Sequence, residues 1–196
     1  MSGTHPSTPI AARVRALEQR LIEAGLVSDA ELDEILARFL AGASPLNGAR
    51  IAAHAWTDGD FRARLLSDAN TAIDELGLSM RGGLQPQRLK VVANTPERHN
   101  VLVCTLCSCY PIGLLGPSPS WYKSEAYRSR VVRDPRAVLG EFGLALPEDV
   151  EIVVWDSSAE SRYLVLPMRP DGTAELAEEE LVGLVTREGL IGTAAV

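Results

Sequence analysis

Apolar positions recur at helical spacing near the start of the chain. Val14, Leu17, Leu21 and Ile22 fall three or four residues apart, with Arg13, Arg15, Glu18, Gln19 and Arg20 between them. That period predicts an amphipathic helix from about Ala11, and Gly25 is a natural stop. Ser28 then stands where an N-cap belongs, with Glu31 in the capping-box position three residues later. Leu32, Ile35, Leu36, Phe39 and Leu40 share the next helical face. Two consecutive amphipathic helices at a terminus can pack on a domain or form an arm that embraces a partner. The pattern alone does not separate these. Residues 1–8 read as a disordered lead.

After a Pro45-containing linker (Gly42 to Asn47), a short helix is expected over Ala49 to Ala55. A longer one follows, capped at Thr57 or Asp58, running through Phe61, Leu65, Leu66, Ala69, Ile73 and Leu76 to Gly77. Ser79 to Gln87 reads as a loop. Leu89 to Ala93 and Asn100 to Val103 are strand-like and flank an Asn94-Thr95-Pro96 turn signal. Pro111 to Ser120 carries three prolines and two glycines, which argues against regular structure. Asp134-Pro135 opens a helix that ends at Phe142 and Gly143. Val150 to Trp155 and Tyr163 to Leu166 read as strands joined by a turn at Asp156-Ser157-Ser158. Glu175 to Arg187 suits a helix with its acidic residues first, and Leu190 to Val196 an edge strand. The predicted class is α+β: an N-terminal helical arm over 1–44, then a layered α/β globular domain over 45–196.

Composition narrows the function. An apolar share of 46% in 196 residues supports a real core. The net charge of −7 makes nucleic acid a poor partner despite the basic, aromatic run from Trp121 to Val132. No apolar run approaches the ~20 residues that cross a bilayer, and no secretory signal precedes the first helix. A cytoplasmic protein is the expectation.

The candidate chemistry is concentrated in one place. All three cysteines, Cys104, Cys107 and Cys109, lie in Val103-Cys104-Thr105-Leu106-Cys107-Ser108-Cys109-Tyr110. They are too crowded for a disulfide framework but well placed to converge on one ion. A Cys3His zinc site using His99 satisfies the ligand count. The single residue between Cys107 and Cys109 is tight for a tetrahedral site. It suits square-planar or octahedral chelation, in which the backbone nitrogens of Ser108 and Cys109 join the thiolates around a later transition metal. His54, among alanines, has its ordinary reading as a surface or packed histidine.

The run from Val103 to Pro111 resembles the metal-claw loop of nitrile hydratase α subunits and of the related thiocyanate hydrolase γ subunit. Further segments share the resemblance: Pro45 to Arg50, Trp56-Thr57-Asp58, Trp121 to Ser124, Tyr127 to Arg136, Arg162 to Pro167 and Leu190-Ile191-Gly192. The resemblance implies the fold of that subunit, with Cys104, Cys107, Cys109 and the backbone nitrogens of Ser108 and Cys109 as metal ligands. It implies sulfinate at Cys107 and sulfenate at Cys109, states that exposed thiolates of low pKa reach by oxidation. Cys109 and Cys107 are thus candidate catalytic residues. Thr105, where iron-type members carry serine, points to Co(III) ahead of Fe(III). Gln85 matches the position of a glutamine linked to the active site.

The implied reaction is hydration of a nitrile to its amide. The implied partners are a β-type subunit supplying two arginines to the claw and a maturation or activator protein. The resemblance also brings the arm reading of residues 1–44 forward. Ile112 departs from the family pattern, which has tryptophan there, and Gly113 replaces proline. The smaller side chain implies a pocket for a bulkier nitrile, such as the cyano-nucleoside accepted by the three-subunit toyocamycin nitrile hydratase. Thiocyanate hydrolysis and a non-catalytic zinc-binding interaction module are the alternatives.

Overall fold

The computed structural model describes residues 9–80 and 87–196. The expected lead over residues 1–8 and Gln85 lie outside the described residues. The chain divides into two compact units, the first ending at Ala41 and the second spanning Gly42–Val196.

The first unit contains helices α1 (Pro9–Glu23) and α2 (Asp29–Ala41). Gly25 ends α1 in the left-handed region at φ 67°. The Gly25 N–H donates to Ile22 O and that of Leu26 to Leu21 O, a Schellman closure that a side chain bearing Cβ would strain. The expected capping box forms at α2. Ser28 N–H donates to Glu31 Oε2 (2.9 Å), and Glu31 N–H to Ser28 Oγ (3.3 Å). The apolar stripe of the unit is exposed, with Val14, Leu17, Ile35 and Leu36 each more than half accessible.

In the second unit helix α3 (Pro45–Thr57) starts earlier than the linker reading allowed. Ser44 Oγ accepts from Leu46 N–H and Pro45 occupies the first turn, where its missing N–H costs nothing. Ile51, Ala52 and Ala55 of α3 are buried in the core. The single long helix expected after Asp58 is two: α4 (Gly59–Ser67) and α5 (Ala69–Asp74). Asp68 breaks it by leaving helical geometry (φ −142°, ψ 82°). Its carboxylate accepts from the Thr71 N–H and hydroxyl instead, the competition for backbone groups that makes aspartate a cap rather than an interior residue.

All four expected strands form, but neither of the two expected turns joins a hydrogen-bonded strand pair. β1 (Arg88–Ala93) pairs in parallel with β4 (Ser161–Leu166), and β2 (Arg98–Val103) in parallel with β3 (Glu151–Asp156). The Asn94 turn carries the chain from one strand pair to the other. There Asn94 Oδ1 accepts from the Asn100 N–H (2.8 Å), and Asn100 Nδ2 donates to Ala93 O (2.8 Å). Leu102, Val103, Leu164 and Val165 are fully buried, as expected of strands in parallel pairing.

Between β2 and β3 lie α6 (Ile112–Leu115), a 3₁₀ turn (Ser120–Lys123), α7 (Glu125–Arg130) and α8 (Pro135–Glu141). One helical turn therefore forms within the supposedly irregular Pro111 to Ser120 stretch. α8 has the predicted cap, Asp134 Oδ1 accepting from Ala137 N–H.

The final segment differs more. α9 (Glu178–Leu184) ends at Val185, and α10 (Arg187–Ile191) begins after Thr186, whose Oγ1 caps Gly189 N–H (3.0 Å). No edge strand forms at the end, because Leu190 and Ile191 are buried in α10 and Gly192 caps it at φ 88°. His99 is fastened there: Nε2 lies 2.8 Å from Gly192 O and Nδ1 3.3 Å from Asn94 Nδ2. Both contacts are satisfied by the neutral ring with its proton on Nε2, and burial lowers its pKa in the same sense. His54 packs edge-on against Phe61, and its Nδ1 lies 2.8 Å from Glu178 Oε2. Among the described residues, no helix is long and apolar enough to cross a membrane.

Candidate metal centre

β2 delivers the chain directly into the cysteine loop. Its register with β3 places Val103 opposite Asp156, so the strand pair ends where the loop begins. Ser157 N–H donates to Val103 O (2.7 Å), extending the ladder by one bond. The loop then turns on Thr105. The Thr105 N–H and hydroxyl both donate to the Asp156 carboxylate, at 2.9 and 2.5 Å, and Arg128 Nη2 donates to Thr105 O at 2.6 Å. A carboxylate accepting two bonds and a guanidinium giving one are charge-assisted contacts, stronger than their neutral counterparts.

This turn brings the three sulfurs together, all within 4.8 Å of one another. Cys104 Sγ lies 3.3 Å from Cys107 Sγ, which lies 3.0 Å from Cys109 Sγ. Cys104 is buried, Cys109 half-buried and Cys107 exposed. The cluster thus has a sealed base and an open rim. Cys107 N–H donates to Cys104 Sγ (3.3 Å), and the N–H groups of Cys109 and Ser108 face the Cys107 sulfur.

The Cys107 thiol is pulled down to about 7 by hydrogen bonding from Cys109, then Cys104, with these amides assisting. Cys109 is pushed up to about 12 by burial and by its hydrogen bond with Cys107, against the nearby positive charge of Arg162.

These residues fit a soft transition ion. Three thiolate donors converge, and two backbone amides point into the same cluster, which suits a later transition metal and not magnesium or calcium. Among the described residues, no histidine or carboxylate joins the cluster. His99 is engaged by Asn94 and Gly192, so a Cys3His zinc site has no fourth ligand there. Ile112 opens α6 three residues past Cys109. It is half-buried against the core, and its N–H donates to Tyr110 O (2.9 Å).

Sequence reasoning missed the residues that hold the loop. Asp156 looked like part of a turn, and Arg128 like one charge in a basic run. Tyr122 OH donates to Cys109 O (3.1 Å), Tyr127 OH to Leu102 O (2.6 Å), and the buried Arg162 sets its positive charge near Cys109. Tyr122, Tyr127, Arg128 and Arg162 fall in segments that carry the family resemblance, yet no local pattern marks their contacts, because each meets the loop only through the tertiary fold.

A strand pair that ends in a loop of three converging cysteine sulfurs and inward-facing amides marks a candidate thiolate metal centre. The alpha-chain model of nitrile hydratase matches residues 8–194, and the chain belongs to that family. It is 50% identical, over 98% of its length and 92% of the relative's, to the low-molecular weight cobalt-containing nitrile hydratase subunit alpha of Rhodococcus rhodochrous. It is 42% identical to the thiocyanate hydrolase subunit gamma of Thiobacillus thioparus, covering 91% of this chain and 76% of that one. Among solved structures, a double mutant of the Fe-type nitrile hydratase from Comamonas testosteroni Ni1 superposes with a TM-score of 0.88 at 42% identity. That match covers 97% of this chain and 92% of the other.

Proposed function

We propose that the chain is the metal-holding α subunit of a cobalt-containing nitrile hydratase, adding water across a carbon–nitrogen triple bond to form an amide. The observation that carries this reading is the convergence of Cys104, Cys107 and Cys109 around a turn that opens at Thr105. The cobalt-containing relative at 50% identity supports the metal, with Fe(III) the runner-up. Cys104, Cys107, Cys109 and the backbone nitrogens of Ser108 and Cys109 would hold the ion. Bound there, a trivalent ion would supply Lewis acidity toward the nitrile.

The remaining work falls to the chain. Cys107 and Cys109, at the open rim, would carry sulfinate and sulfenate. Cys109 would hold its oxygen towards the nitrile carbon or orient the attacking water. The nearby positive charge of Arg162 favours the anionic, oxidised sulfur of Cys109 over the thiol. Two arginines of a β-type subunit would grip the same oxygens from the other side. An activator protein would load the ion, residues 1–44 would serve as the arm that grips the partner, and Gln85 would support the site from outside the claw.

The test is to purify the chain with its partner subunits after growth with cobalt, then measure metal, intact mass and products. About one cobalt per chain, a mass gain of three oxygens and amide production are expected. Zinc with unoxidised cysteines would sink the reading. Conversion of thiocyanate to carbonyl sulfide and ammonia, without amide from nitriles, would move the chain to the thiocyanate hydrolases.

The substrate class rests on Ile112. A branched aliphatic side chain where the family pattern has an indole leaves more room beyond Cys109, so a bulky nitrile such as a cyano-nucleoside is favoured. Ile112→Trp should shift the kcat/KM ratio of small to bulky nitriles by about tenfold toward the small ones, the scale expected from refilling an apolar pocket. An unchanged ratio defeats the assignment.

A further inference from the structure

One short stretch reaches the cysteine loop at three points. Tyr127, Arg128 and Tyr122 donate to the carbonyls of Leu102 (2.6 Å), Thr105 (2.6 Å) and Cys109 (3.1 Å). These carbonyls mark the end of β2, the turn and the loop exit, so the stretch brackets the whole claw. It is itself stiff. Ser124 Oγ caps α7 by accepting from Tyr127 N–H (3.1 Å), and the Trp121 ring packs on Tyr127 and Phe142 at centroid distances of 4.9 and 4.7 Å. Tyr122 and Tyr127 are buried, and burial raises their phenol pKa values, so both stay neutral donors.

Arg128 differs from the other arginines nearby. Arg136 spends its guanidinium on the carbonyls of Leu146, Pro147 and Val150, and Arg130 is exposed and paired with Glu141. Among the described residues, the Arg128 side chain makes one hydrogen bond, to Thr105 O, and its buried Nε has no partner. Thr105 is thereby held on every polar group, its N–H and hydroxyl by an anion and its carbonyl by a cation. The next residue, Leu106, is 90% exposed. The Thr105–Leu106 peptide therefore links a buried sulfur to an exposed one, and Arg128 is the group that fixes its orientation.

We propose that Arg128 is a positioning residue for the metal centre. By locking the Thr105–Leu106 peptide it makes Cys104 and Cys107 present their sulfurs to one point. The proposal rests on the metal-claw reading of the loop. Small misplacements of a ligand set are costly, because productive geometry tolerates only about half an ångström.

The test compares Arg128→Met and Arg128→Lys with Arg130→Met, a neighbour on α7 that does not touch the loop. In the cobalt-loaded assembly, Arg128→Met should shift and weaken the sulfur-to-metal charge-transfer absorption. It should also lower kcat by about tenfold or more while KM stays within about twofold, as for an interaction felt in the transition state and not in binding. Arg128→Lys should restore most of both, since one N–H suffices, and Arg130→Met should match the wild type. In the metal-free full-length chain, amide hydrogen exchange over residues 103–109 should accelerate at least about tenfold in Arg128→Met and nowhere else.

Wild-type absorption and exchange in Arg128→Met would overturn the proposal. So would an equal loss in Arg130→Met, or exchange that rises throughout the chain without rescue by lysine. An assembly that takes up neither cobalt nor iron overturns the metal reading and the positioning role with it. The exchange comparison still reports separately whether Arg128 clamps Thr105.

Discussion

Cys104→Ala should leave the fold in place and the assembled enzyme without its metal. Cys104 is buried at the base of the sulfur cluster, accepts from Cys107 N–H, and sits where β2 ends. Removing one sulfur atom from a packed site costs on the order of 1 kcal/mol, a fraction of ordinary domain stability. The chelate loses far more. One of the three proposed thiolate ligands disappears, and the deepest one, so the remaining donors lie on a rim open to solvent. Metal content should fall below about a tenth of an equivalent, and hydratase activity by at least about a thousandfold, the scale of removing a group on which the chemistry depends. Elemental analysis and circular dichroism on the same preparation check both halves. A variant that keeps its full complement of cobalt would remove Cys104 from the ligand set.

Gly192→Ala should have the largest effect on folding. Gly192 caps α10 at φ 88°, a region that penalises any Cβ. The second problem is space: a Cβ there would lie 2.0 Å from Asn100 O and 2.9 Å from Val101 Cα. Those are backbone atoms of β2 and cannot swing aside, so α10 or the strand must move, and the His99 contact to Gly192 O moves with it. A loss of more than about 3 kcal/mol is expected, a large share of a domain's margin.

Gly143→Ala is the control. It carries the same handed strain at φ 84°, but its Cβ meets nothing within 4 Å, so about 1 kcal/mol is expected. Urea midpoints of the two variants separate strain from collision. Equal losses would show that the close approach to Asn100 contributes nothing.

Helix caps were the most legible part of the fold. Ser28 with Glu31, and Asp134 ahead of Pro135, satisfy backbone donors within a few residues, so their signal is local. Asp68 and Thr186 use the same chemistry. They were overlooked because apolar periodicity continued through them, and periodicity does not register where the backbone leaves the helix. The final apolar run failed as a strand because Leu190 and Ile191 bury as well on a short helix capped by Gly192 as they would in a sheet. Short apolar runs carry no period long enough to choose.

The cysteine spacing by itself placed three soft donors and two backbone amides within one short loop, and local covalent geometry is enough for that. It also named the candidate chemistry, because thiolates at that spacing suit few ions. What holds the loop open in one shape came only from the tertiary structure. Asp156 reaches Thr105 because β2 and β3 pair in parallel, which sets Val103 beside a residue far along the chain. Arg128 and the two tyrosines arrive on a separate stretch that docks against the end of the strand. Parallel pairing needs a long crossover, and its partners share no turn or spacing that a sequence displays. The donors were therefore written in the order of residues, and their fixed geometry in contacts between segments that the chain keeps far apart.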